Sequence, residues 1–164
     1  MIICNNVGFI HIPRTGGTSI RHALEWQPFP LYPLGLLTKP HSELSNAANT
    51  YNPHEPIHRF AGCPLVKILT VFSVVRNPWD RYVSWYEYHR RDSGSLRTFG
   101  EFMETVLGNV QPERDPARPR NPVTQSEYIQ HVDAAFEYTL LRFEHLDDDW
   151  AAFCEEHGLA ASPL

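Results

Sequence analysis

Lysine is nearly missing from this chain. Only Lys39 and Lys67 are present among 14 cationic residues; the rest are arginines. The planar arginine fork grips oxyanions at two points, which an ammonium group does not do, so the skew directs attention to an anionic ligand. Net positive charge is lacking too. The balance of 14 Lys+Arg against 19 Asp+Glu leaves −5, which argues against a nucleic-acid partner over the whole surface and leaves room for a local basic pocket. Cysteine is scarce: Cys4, Cys63 and Cys154 are odd in number and far apart. That excludes a disulfide framework and a CxxC metal pair, and makes a reducing cytoplasm the expected location. No apolar run reaches the roughly 18 residues of a membrane span. The opening MIICNNVGFIHI has neither a basic segment nor a small-residue cleavage site, so it is not expected to be a signal peptide.

What is present suits one globular domain over residues 1–164. Hydrophobic residues are 42% and charged residues 20% of the 164, enough for a single core, and neither a repeat nor a linker divides the chain. Val7–Ile12 is a short apolar run read as a buried strand, followed by a Gly-Gly turn and a helix over Thr18–Leu24. Residues 27–64 carry many prolines and weak periodicity, with a short helix expected near Ser42–Ala48. Ile68–Val75 is the strongest strand, apolar along its length as in a parallel sheet covered on both faces. Asn77 and Pro78 then start a helix as N-cap and first residue, with Trp79, Tyr82, Val83 and Tyr86 as its expected buried stripe. Thr98 and Glu101 form a capping box for a helix ending near Gly108. Residues 109–122 read as a Pro/Arg loop, Tyr138–Phe143 as a strand, and Asp147–Asp149 as the acidic start of a helix closed by Gly158. Strand–turn–helix units in this order predict an α/β sandwich with a mainly parallel sheet.

Two stretches carry chemistry. In His11-Ile12-Pro13-Arg14-Thr15-Gly16-Gly17-Thr18-Ser19 a strand gives way through two glycines to a helix start. Free N–H groups there favour an anion, and Arg14 adds a fixed charge. The Walker pattern GxxxxGK[ST] is absent. In Val74-Val75-Arg76-Asn77-Pro78-Trp79-Asp80-Arg81-Tyr82-Val83-Ser84, Arg76 stands at the carboxyl end of the strong strand, where open α/β sheets bind ligands. Ser84 lies about two turns into the helix, off the aromatic stripe. Arg76 and Ser84 are therefore expected to meet one phosphate from two directions. The plainer alternative pairs Arg76 with Asp80.

Together the two stretches resemble the cofactor motifs of sulfotransferases that use 3′-phosphoadenosine 5′-phosphosulfate (PAPS), closest to the carbohydrate-type branch with its small bacterial members. HIPRTGGTS looks like the family's 5′-phosphosulfate loop, and VVRNPWDRYVSWY like its 3′-phosphate motif; RFEHL at Arg142–Leu146 resembles a later segment. The resemblance spans roughly residues 7–157 and is thin over 27–64. It implies a three-layer, P-loop NTPase-like α/β fold. It also implies transfer of a sulfuryl group from PAPS to a hydroxyl of a carbohydrate or small glycoside, with release of 3′,5′-ADP (PAP). The residues it assigns to the donor are Arg14, Thr15, Gly16, Gly17, Thr18, Ser19, Arg76 and Ser84. Arg14 stands where the family commonly has lysine. It holds charge on the leaving oxygen but donates no proton. The chain also ends at Leu164, where many members continue with a further helix.

An acceptor hydroxyl needs a base of near-neutral pKa. Members of this branch often have a histidine between the two motifs, which makes His41 in KPHSEL the first choice. His11 sits in a strand and reads as structural. His54 and His58 have i, i+4 spacing without HExxH or an evident third ligand, so no metal site is expected. Arg114, Arg118 and Arg120 read as a solvated loop. No membrane span or nucleic-acid partner is expected, and the oligomeric state stays open. Two rivals remain: a PAP-binding module without catalysis, and a nucleotide-dependent phosphotransferase of the same fold.

Overall fold

Asn5 and Asn6 turn the first residues of the chain back on themselves. In the computed structural model, which describes residues 1–29, 31–33, 57, 69–93, 98–108, 124–130 and 138–164, β1 (Ile2–Cys4) and β2 (Val7–Ile10) form an antiparallel hairpin. Asn5 takes φ 53, a left-handed conformation that asparagine tolerates better than most residues. β1 pairs on its other side, also antiparallel, with β3 (Leu31–Pro33). β2 runs parallel to β4 (Thr70–Val75), and β4 parallel to β5 (Tyr138–Arg142), giving the order β3-β1-β2-β4-β5. The protein is thus α/β with a mixed sheet. The expected parallel arrangement holds for β2, β4 and β5 and is corrected at the β3–β1–β2 edge. A hairpin needs only a two-residue link, and a three-residue strand shows no periodicity by which to find it.

Side chains alternate across β2 and β4 and feed two apolar layers. Phe9, Phe72, Val74 and Leu141 pack with Ile20, Ala23 and Leu24 of α1 (Gly17–Glu25) and with Trp150, Phe153 and Cys154 of α5 (Leu146–His157). Phe72 is the hub, with ring centroids 5.1 Å from Phe9 and 4.4 Å from Phe153; such pairs are each worth about 0.5–1.5 kcal/mol beyond area burial. On the other face Ile10, Ile12 and Val71 meet Ile57 and Tyr128. Tyr128 belongs to α4 (Gln125–Ile129), a short helix missed in the sequence although Thr124 and Glu127 form its capping box.

α2 (Pro78–Ser93) starts as expected: Asn77 Oδ1 accepts from the Trp79 N–H at 3.0 Å. Its expected buried stripe is corrected. Trp79 is 75% and Val83 50% exposed. The apolar side is turned by less than a third of a circle, so that Tyr82, Trp85 and Tyr86 pack on Phe102 and Met103 of α3 (Phe99–Gly108). Thr98 N–H donates to Glu101 Oε2 at 2.7 Å and Glu101 N–H donates to Thr98 Oγ1 at 3.3 Å, which is the expected capping box. At the far end Gly158, at φ 66, closes α5 as expected. The helix expected near Ser42–Ala48 and the loop 109–122 lie outside the described residues. No helix among the described residues is long and apolar enough to cross a membrane.

Candidate functional site

Ile10 of β2 lies beside Ser73 of β4 in parallel register. Both strands therefore deliver their following residues, His11–Gly17 and Arg76–Pro78, to the same end of the sheet. That end is where α/β sheets place ligands.

The loop between β2 and α1 has alternating handedness. Arg14 (φ 68) and Gly16 (φ 84) are left-handed, and Thr15 and Gly17 are not. Alternation of this kind turns successive N–H groups inward as an anion-binding nest. Gly16 is the N-cap of α1 and no side chain among the described residues caps the helix, so its first N–H groups have no competing side-chain acceptor among them. Both glycines are demanded by space as well. A Cβ on Gly16 would stand 3.1 Å from Phe143 and Leu146, and one on Gly17 would run into the His11 ring. His11, stacked 5.6 Å from Phe9, is thus a packing residue, as the sequence suggests. Thr15 is fully buried and its hydroxyl donates to the Ile12 carbonyl at 2.9 Å, so its side chain is committed to the loop itself. Thr18 is exposed and Ser19 half-buried.

α2 grips this loop. Arg81 Nε donates to the Pro13 carbonyl at 3.0 Å, and Arg76 Nη1 reaches the Arg14 carbonyl at 3.5 Å. A trans peptide points its N–H opposite its C=O, so drawing these carbonyls toward α2 turns the Arg14 and Thr15 N–H groups the other way. Arg14 in turn donates through Nε and Nη2 to Ser84 Oγ, at 3.2 and 3.1 Å, and lies 4.8 Å over the Tyr88 ring. Residues 81, 84 and 88 share one stripe of α2 at 100° per residue, about 60° wide. Ser84 is therefore placed against Arg14 and not directly against Arg76, and both converge on Arg14, one on its side chain and the other on its carbonyl. Arg76 makes no ion pair with Asp80.

Arg76 itself is held at its main chain. Its N–H donates to Gln125 Oε1 at 2.8 Å, and its carbonyl accepts from Gln125 Nε2 at 2.7 Å. The guanidinium lies 4.2 Å over Phe143, and Nε is buried with no hydrogen-bond partner among the described residues. Next to it, Glu144 accepts from the Asn77 N–H at 2.6 Å. That bond, with a smaller contribution from Arg76, holds its carboxyl below the usual range.

Sequence reasoning missed Arg81 and Gln125. Arg81 is 1% exposed, and burial lowers its pKa from the usual arginine value while Tyr128, Tyr82 and Glu127 oppose the shift. An arginine reads as surface in any binary pattern, so nothing in the spacing revealed it. His41, His54, His58, Arg114, Arg118 and Arg120 lie outside the described residues. Among the described residues no group of three or more His, Cys, Asp or Glu is arranged to hold a metal ion. Comparison with protein-family models, with curated proteins and with solved structures gives no match.

Proposed function

We propose that this chain is a sulfotransferase with PAPS as donor and a hydroxyl of a carbohydrate or small glycoside as acceptor, built on a three-layer, P-loop-like α/β fold. The Arg14–Ser84 contact carries the reading. Two motifs 70 residues apart, each resembling one half of a PAPS site, meet there side chain to side chain. The residues fit the donor at both ends. The N–H groups of Gly17, Thr18 and Ser19, uncapped by any side chain of the described residues, suit the 5′-phosphosulfate. Arg76, with Nε unused, suits the 3′-phosphate. Ser84 joins it: the hydroxyl accepts from Arg14 and keeps its own proton to donate.

When bound, PAPS supplies the activated sulfuryl group, and PAP is the product released. Arg14 is permanently cationic and holds charge that builds on the leaving side without giving up a proton. His41, assigned by resemblance, takes the proton of the acceptor hydroxyl.

Steady-state kinetics with PAPS and a panel of glycoside acceptors, beside PAP affinities, test this. Arg14→Ala is expected to lower kcat more than PAP affinity, and Arg14→Lys to keep most of the rate. His41→Ala is expected to lower kcat by about 10²–10⁴-fold with PAP affinity within a few-fold. PAP binding without transfer to any acceptor would point to a non-catalytic module, and Mg²⁺-dependent ATP turnover to a phosphotransferase.

A further inference from the structure

β4 ends at Val75, opposite Arg142 of β5. Arg76, one residue on, has no strand partner among the described residues, and a side chain takes that place. The Gln125 amide both accepts from the Arg76 N–H and donates to the Arg76 carbonyl, at 2.8 and 2.7 Å. The N–H can only donate and the carbonyl only accept, so the orientation of the amide is fixed by chemistry. Gln125 is itself anchored. Thr124 and Glu127 close the capping box in front of it, and Tyr128, 1% exposed, roots α4 in the core. Arg76 is thereby held on three sides: Gln125 on its main chain, Phe143 under its guanidinium, and Glu144 on the neighbouring Asn77 N–H.

We infer that Gln125 is a positioning residue that gives the site its preference for a nucleotide bearing a 3′-phosphate, acting through Arg76. This rests on the sulfotransferase reading. A charge-assisted hydrogen bond is directional. An arginine whose backbone is free to turn spreads its guanidinium over many positions and must be ordered again each time the phosphate binds. Clamping the main chain at both its donor and its acceptor removes that freedom at the root of the side chain. The 5′ end of the nucleotide is served by the loop and α1, which Arg76 meets only at the Arg14 carbonyl at 3.5 Å, so it depends on Gln125 far less than the 3′ end does.

The test is calorimetric titration of PAP and of 5′-AMP into the wild type, Gln125→Leu and Gln125→Glu. The wild type is expected to prefer PAP. Gln125→Leu should weaken PAP about 10-fold and leave 5′-AMP within about two-fold, whereas a merely structural residue would weaken both alike. Gln125→Glu gives a second, chemical readout. At pH 8 its carboxylate accepts from the N–H but opposes the Arg76 carbonyl, so PAP preference falls. Near pH 4, below the ordinary glutamate value of about 4.3, most of the carboxyl takes up a proton, regains a donor and matches the amide. PAP preference, referred to the wild type at the same pH, should then recover. Equal losses for both ligands, an unchanged preference, or no recovery in acid would overturn the inference and leave the sulfotransferase reading standing. A wild type without preference for PAP would overturn both. Should Gln125→Leu fail to fold, the pH recovery of Gln125→Glu decides.

Discussion

Gly17 and His11 form one unit at the scale of single residues. The imidazole occupies the space in which any β-carbon at position 17 would stand, and Thr15 locks the same turn from beneath through Ile12. Gly17→Ala is therefore expected to cost about 1–3 kcal/mol of stability, the usual penalty of overpacking, and to distort the anion loop. Adding His11→Ala should return most of that loss by opening the space, as thermal melts of the single and double variants would read. A double variant no more stable than Gly17→Ala would mean that the ring and the glycine do not compete. The glycines, Arg14, Arg76 and Ser84 are legible in the sequence because their chemical types are rare in such a pattern. The inward turn of the Thr15 hydroxyl, the burial of Arg81 and the clamp by Gln125 are not, because each depends on a neighbour from another part of the chain.

Elements were legible where periodicity or capping chemistry extended over several residues: β2, β4, β5, α1, α2, α3 and α5 all lie within a few residues of their expected bounds. β1, β3 and α4 are three to five residues long and too brief for a period to show. The face of α2 was misread because its loop-facing stripe is made of Arg81, Ser84 and Tyr88, which no hydropathy pattern marks as interior. Between β5 and α5 the tie is ionic. Arg142 donates through its main-chain N–H, Nε and Nη2 to the Asp149 carboxylate, at 2.8, 3.0 and 2.7 Å. The Arg142 hydrogen bond draws the Asp149 pKa from 3.8 to about 2. A depressed folded-state pKa stabilises the fold above the unfolded value and loses that contribution as pH falls. The Asp149 contribution should therefore be complete above about pH 4 and drain away between about pH 4 and pH 2. Denaturant melts across that range should show Asp149→Asn converging on the wild type in acid. A constant gap between the two would contradict the pairing.

For the molecule as a whole, the strand order decides the function proposed. Placing β2 beside β4 in parallel brings residues 14 and 84 together, and neither stretch alone makes a site. Order and register in a sheet depend on pairings far apart in sequence, so local patterns left the antiparallel edge unread. The central claim is that the loop after β2 and the arginine after β4 form a single nucleotide site. Its most direct test is calorimetric titration of PAP and ATP into the wild type and Arg76→Ala, in buffer containing EDTA. The account predicts that PAP binds the wild type with one site per chain and far more tightly than ATP, and that Arg76→Ala loses roughly 10- to 100-fold in PAP affinity, the worth of about 1.5–3 kcal/mol for a charge-assisted hydrogen bond. PAP binding no tighter than ATP, or unchanged by Arg76→Ala, would contradict it.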